Sequence, residues 1–352
     1  MKILLAHDGS PAHYFIRLGL SRAWQACGHE VNFWDTQSKS VFDVFDEFKP
    51  DLFWGQTYNL SRQLIQCISE YPLLKVVLRG SDWGPMQDSI DLQKYPVLVA
   101  NDNERALVQK LQDKTGKPNF IHCHYHPNRI RATHGYWEEK MGVKIVGLHS
   151  AADIFDYTKG HQLEEFKCDV AFVGGYWGYK GQTLSKYIMP LCQVGKNYNV
   201  KIYGNQAWGC PQYCGPLPTE YVKHALASAT ICPNISEPHS QDFGYDIVER
   251  PYKLLSNKCF CISDYVDSMA KDVFTNDEIV FATGPTDFEM KVNHFLKNPD
   301  ERGPYVDRGY MTVINSETYF HRIKTVFAEL GMDNEAKKVD IVYADLRRTM
   351  KL

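Results

Sequence analysis

The sequence predicts an α/β protein of two tandem Rossmann-like domains facing across a cleft, and three observations carry that expectation. Short apolar runs alternate with amphipathic stretches along most of the chain, which is the pattern of parallel sheets covered by helices on both faces. The alternation is interrupted over a turn-rich stretch at 147–166, around Ser150-Ala-Ala-Asp153, and then resumes. At 352 residues the chain also exceeds the size at which a single core keeps growing. The expected division is an N-terminal domain over 1–150, a second over 151–325, and a C-terminal helix over 326–352 that packs back on the first.

The elements follow in order. Residues 2–6 form an apolar run, and 14–27 show helical spacing through Phe15, Leu18, Leu20, Ala23 and Trp24, closed by Gly28. Residues 31–34 resume as strand. Further strands are expected at 51–54, 75–78, 97–100 and 119–122. The second series places strands at 169–173, 200–203, 230–232, 259–262 and 279–282, with helices at 180–192, 219–226, 245–256 and 287–296. Two last helical stretches, 316–330 and 334–350, have no strand after them and are expected to pack outside.

Composition excludes several classes. Hydrophobic residues make up 44% and charged residues 23%, the balance of a globular chain rather than a disordered one. No run approaches the roughly 18 apolar residues of a membrane span, and Met1-Lys-Ile-Leu-Leu-Ala lacks the architecture of a signal peptide, so a cytoplasmic location is expected. The ten cysteines are scattered without paired-ligand spacing, as free thiols in a reducing compartment would be. Cys210 and Cys214 are the closest approach to a clip or a metal pair. A net charge of −3 restricts any nucleic-acid contact to a local patch.

In an open parallel sheet the ligand sits beyond the carboxyl ends of the strands, so the loops there are where chemistry is sought. Asp169-Val-Ala-Phe-Val-Gly174-Gly175 reads as a buried strand ending in a glycine pair that opens a helix. With Gly178, Lys180 and Gly181 it allows close approach of backbone N–H groups to a diphosphate. The alternative is a tight turn that needs glycine for its backbone alone. Tyr203-Gly204-Asn205 and Pro233-Asn234-Ile-Ser236 end the next two strands and can receive a base or ribose, or serve as ordinary loops. Further on, Glu249-Arg250-Pro-Tyr-Lys253 puts cations on one face of a short helix; Glu249 and Lys253 can equally form a surface ion pair.

In the first half, His7-Asp8-Gly-Ser-Pro-Ala-His13 and Arg79-Gly-Ser-Asp82 each follow a strand. Asp8, His13 and Asp82 are therefore candidates to take a proton from an acceptor hydroxyl, though both aspartates also suit caps and turns. Asp102 reads as a cap. His122, His124 and His126 alternate and share a face, which suits zinc or, with Arg129, Arg131 and Lys144, a patch for a phosphate-bearing acceptor.

Taken together these stretches resemble glycosyltransferases of the GT-B fold. One similar branch is the CgeB-like spore-maturation glycosyltransferases, through 169–175, Arg250-Pro-Tyr, Cys259-Phe-Cys-Ile and Thr318-Tyr-Phe-His-Arg322. The other is the T-even phage DNA β-glucosyltransferases, through 169–182, 200–205, 250–262 and 75–82. The resemblance implies a nucleotide-sugar donor, with UDP-sugar expected, whose diphosphate is bordered by Gly175 and Lys180 and contacted by Arg250. It implies Asp82 as the first choice of general base and an inverting transfer. Lys253 departs from the pattern, since many relatives carry a ribose-binding glutamate there; Glu249 is the substitute. No cofactor is required and a divalent cation is optional. The acceptor is expected to be a saccharide, a protein or a hydroxymethylated DNA base. A sugar-nucleotide epimerase and a noncatalytic surface-assembly protein are the other uses of such a fold.

Overall fold

The computed structural model describes residues 1–7, 11–37, 39–83, 90, 91, 93–98, 102–158 and 160–352; the side chains of 11, 12 and 102 lie outside the description. The chain divides into two compact units, Met1–His149 with Tyr319–Leu352, and Ser150–Thr318.

Unit 1 runs β1 (Lys2–His7), α1 (Pro11–Ala26), β2 (Glu30–Asp35), α2 (Val41–Phe48), β3 (Leu52–Gln56), α3 (Arg62–Glu70), β4 (Lys75–Arg79), α4 (Asp102–Thr115), β5 (Phe120–Cys123), α5 (Ile130–Glu139) and β6 (Ile145–Gly147). Its strands pair in parallel in the order β2-β1-β3-β4-β5-β6. The chain moves to one side from β1 to β2 and then to the other from β3 onward, so the topological switch lies between β1 and β3. Strand β3 is buried along its length and β4 through its apolar centre Val76–Leu78, as strands covered on both faces are.

Unit 2 runs β7 (Cys168–Val173), α6 (Gly178–Tyr187), β8 (Val200–Tyr203), α7 (Thr219–Ser228), β9 (Ala229–Asn234), α8 (Pro238–Phe243), α9 (Arg250–Ser256), β10 (Cys261–Asp264), β11 (Val280–Ala282), α10 (Pro285–Lys297) and α11 (Arg302–Ser316). The order β11-β10-β9-β7-β8, again parallel, puts its switch between β7 and β9. Helices α12 (Tyr319–Glu329) and α13 (Asp333–Met350) belong to unit 1. There α12 lies on α1 so closely that a Cβ on Gly19 would come within 2.2 Å of the Tyr319 ring, and the rings of Phe320 and Tyr343 stack at 4.9 Å.

Both sheets are α/β and parallel, the class the alternation predicts. The differences are local. The strand expected at 97–100 is absent where described: Pro96 cannot donate to a ladder, Val97 and Leu98 lie in a turn, and Val99 and Ala100 fall outside the described residues. The helix expected over 245–256 begins only at Arg250, because α8 has closed at Gly244 (φ 70°) and Pro251 suits a helix's first turn. Strand β6 and helices α8 and α11 were not expected; β6 is three residues long, and α11 carries Gly303 and Gly309. Among the described residues no helix is long and apolar enough to cross a membrane.

Candidate functional site

In unit 2 the carboxyl ends of β7 and β9 flank the switch point, and the cations gather there. Gly174 N–H donates to the Tyr203 carbonyl at 2.7 Å, while its own carbonyl accepts from Trp208 Nε1 at 2.9 Å. A Cβ on Gly174 would meet the Phe172 ring at 2.9 Å and Arg250 Nη2 at 3.2 Å. Arg250 lies over the Phe172 ring at 4.6 Å and donates to the Ile235 carbonyl at 3.3 Å. Glycine at 174 is therefore required by the packing of the Phe172 ring and the Arg250 guanidinium against the turn.

Lys180, on the first turn of α6, is the second cation. Burial, then the nearby Arg250 charge, pulls its pKa down to about 8, partly offset by Glu237. Both cations, Arg250 as well as Lys180, have pKa values lowered first by burial, and together beside a glycine turn they offer positive charge that can meet an anion. Glu237 itself is pushed up by burial, with Lys180 and His239 working against that. Asp264, at the end of β10, is also raised by burial although Gln241 Nε2 (2.7 Å), Ser236 N–H and Ser236 Oγ (both 3.1 Å) donate to it. Those bonds fix the loop after β9 from which the Ile235 carbonyl holds Arg250.

Arg250 and Lys253 were expected to act on one face, but they have separate surroundings. Lys253 pairs with Glu249 at 2.5 Å and lies over Tyr157 at 4.6 Å. Burial would lower its pKa, yet Glu249 and Tyr157 outweigh that and raise it. Two donor contacts are corrected. Asn234 is fully buried, its amide donating to Ser263 Oγ at 2.9 Å, and the Tyr203 side chain packs into the core against Phe166. Both positions end a strand, but their side chains point into unit 2 rather than to its rim. Gly204 serves packing: a Cβ there would come within 2.5 Å of the Gly174 carbonyl, and its own carbonyl accepts from Tyr213 Oη at 2.7 Å. Gly175 is partly exposed beside Asn205 and Gln206.

The sequence reading missed Glu237 and His239 at the start of α8. His239 Nδ1 lies 3.1 Å from Tyr179 Oη and Nε2 lies 3.6 Å from Asp246. Burial lowers the His239 pKa, but Asp246 and Glu237 outweigh it and leave it raised. Glu237-Pro238, with proline at the first helical position, was the available signal of a helix start.

In unit 1 the candidate bases separate. Asp8 lies outside the described residues. His13 is partly exposed on α1, its ring stacked with His124 at 6.4 Å. Asp82 is fully buried, and Arg105 donates to both its oxygens, Nε at 2.7 Å and Nη2 at 2.8 Å, while Trp137 Nε1 holds its carbonyl at 2.8 Å. A carboxylate bound on both oxygens and closed to solvent does not meet an acceptor hydroxyl, so its expected role as base is not the one its surroundings favour. Glu104, also buried, accepts from Thr57 Oγ1 and from Ser81 Oγ at 3.0 Å; burial raises its pKa. His122 and His124 continue from β5, and His126 turns to His149 at 5.0 Å. Among the described residues no three His, Cys, Asp or Glu side chains form a metal cradle.

Residues 186–328 match the family described as "Glycosyl transferase-like", a span that includes Glu249, Arg250 and Lys253 but not the glycine turn. No curated protein matches the sequence. Among solved structures, T4 phage BGT in complex with UDP and Mn2+ is similar at a TM-score of 0.58 and 12% identity, over 96% of this chain and 99% of that one. HepE from Anabaena, in complex with UDP and glucose, gives 0.61 at 9% identity over 94% and 99%. A glycosyltransferase from Rickettsia africae gives 0.60 at 10% identity over 96% and 98%. At such identities these structures speak for the fold, and the family match speaks for the class. The chain is an enzyme of the glycosyltransferase class, with the GT-B fold of paired Rossmann-like units and a glycosyl transferase-like domain over 186–328.

Proposed function

We propose that the chain moves a sugar from a nucleoside diphosphate sugar, UDP-linked, to an acceptor hydroxyl with inversion, unit 2 binding the donor and unit 1 the acceptor. The observation that carries this is the meeting of Lys180 and Arg250 beside the Gly174–Gly175 turn at the switch point of unit 2. The choice of UDP is supported by the solved structures of this fold that hold UDP.

In this reading the acceptor hydroxyl gives its proton to a base as its oxygen bonds to the anomeric carbon. The bond from that carbon to the diphosphate oxygen breaks on the opposite face, and the nucleoside diphosphate leaves with the electron pair. Lys180, Arg250 and the N–H of Gly175 would hold the charge that develops there. Glu249 would reach the ribose only by giving up Lys253. A divalent cation is optional, since the two cations already supply positive charge at the leaving group. His13 is the base in this proposal, as a partly exposed imidazole on the first helix, and Asp82 is held by Arg105 and Trp137 just after β4.

The test follows release of UDP from UDP-glucose in the presence of hexose acceptors. His13→Gln should lower kcat by about 10²- to 10⁴-fold with UDP affinity unchanged, and Asp82→Asn should chiefly lower stability. Turnover lost in Asp82→Asn but kept in His13→Gln, with both folded, would return the base to Asp82. If the wild type neither binds UDP nor consumes any nucleotide sugar, the transferase reading fails.

A further inference from the structure

At the carboxyl ends of β4 and β5, unit 1 gathers imidazoles and guanidiniums around one buried side chain. His122 is 2% exposed, packs against Trp54 at 4.4 Å between ring centroids, and meets the His124 ring at 5.9 Å. No protein group hydrogen-bonds either of its ring nitrogens, nor Nδ1 of His124 or of His7, among the described residues. Arg79, which ends β4, and Arg17, buried on α1, both lie close enough to act electrostatically on His122 and His124.

We propose that Arg17, Arg79, His122 and His124 bind the phosphate of a small phosphorylated acceptor. The argument rests on the unsatisfied nitrogens. Buried polar groups find partners, and here His122 and its neighbour His124 carry ring nitrogens with no hydrogen-bond partner among the described residues. Their chemistry is that of donors beside permanent cations, which selects an anion with several acceptor oxygens. Burial, with Arg79 next and Arg17 contributing, drives both imidazoles well below their ordinary pKa, so an arriving dianion would reverse the electrostatic cause and draw protons onto them. The buried setting of His122 and Arg17 favours a terminal phosphate that reaches inward over the phosphates of a duplex, which need an exposed cationic surface.

This inference rests on unit 1 being the acceptor unit, and the experiment separates the two. Calorimetry would be run on the whole chain with UDP saturating, so that the donor site is filled, using glucose 6-phosphate, glucuronate and glucose as probes. Glucose 6-phosphate should bind at least tenfold more tightly than the other two, with proton uptake near pH 7 visible as a dependence on buffer ionisation heat. Arg79→Gln should weaken it at least tenfold with UDP affinity within twofold of wild type. His122→Gln, checked for folding by circular dichroism, should reduce the proton uptake. Equal binding of glucose and glucose 6-phosphate, equal binding of glucuronate, or no effect of Arg79→Gln overturns the proposal. Failure of UDP to bind sinks the transferase reading instead, and Arg79→Gln still reports on the phosphate.

Discussion

The charged groups in the two units are organised differently. In unit 2 each cation of the candidate donor site has a carboxylate acting on it: Glu237 on Lys180, Glu237 and Asp264 on Arg250, Glu249 on Lys253. In unit 1 burial first, and then neighbours that among the described residues are all cationic or imidazole, keep His122 and His124 neutral. A balanced site can keep its charges in place before a ligand arrives. An imidazole cluster next to guanidiniums instead stores the capacity to become charged when an anion enters. Under the proposed roles, the same fold prepares for anions in two ways, by paired cations or by suppressed protonation.

The largest expected effect breaks the comparison by acid. His122, His124, His134 (about 3) and His29 (about 4) all have pKa values lowered first by burial. A histidine whose folded pKa is lowered binds fewer protons folded than unfolded. Its contribution to stability is therefore full above pH 6.5 and is lost as pH falls toward the folded value. Each costs up to about 1.4 kcal/mol per pH unit in that window. His239 in unit 2 is raised and has the opposite sign. Hydrogen exchange at pH 7 and pH 5 should show unit 1 losing protection first; equal loss in both units would contradict the assignment.

A smaller effect sharpens the unit 2 side. Gly174→Ala places a methyl 2.9 Å from Phe172 and 3.2 Å from Arg250, so it should cost about 1–3 kcal/mol in urea unfolding and displace the guanidinium, weakening UDP about tenfold. Gly178→Ala, with open space around its Cβ, is the control and should do neither.

Smaller again is the alkaline limb of donor binding. Because Lys180 titrates near 8, UDP affinity should fall as pH rises through that value, by up to about tenfold per unit, and Lys180→Arg should flatten the profile. The Lys253 charge is answered by Glu249 and raised in pKa, so Lys253→Gln should leave the profile as it is.

The fold was legible because alternating apolar runs and helical spacing report directly on a sheet covered by helices, and nearly every expected strand sits within two residues of an observed one. The pair Val97-Leu98 misled because apolar content alone does not tell a strand from a turn, and Pro96 was the stronger signal. In the site, Lys180 and Arg250 were legible from their places after strands. Asn234 and Tyr203 were misread because a strand's end gives the position of a residue but not the face of its side chain. Arg105 lies 23 residues from Asp82, so nothing local announced the ion pair that closes that carboxylate off. The alternation of His122 and His124 was visible, but Trp54 and Arg17 reach them only through tertiary packing.

The most direct test of the central claim is the thermal stability of the chain with and without saturating UDP, for wild type and Arg250→Ala. At about 100 times Kd the wild type should gain about 2.7 kcal/mol, seen as a rise in Tm, and Arg250→Ala should lose most of it while staying folded. No rise with UDP in the wild type, or the same rise in both proteins, would contradict a donor diphosphate held by Arg250 at the unit 2 switch point.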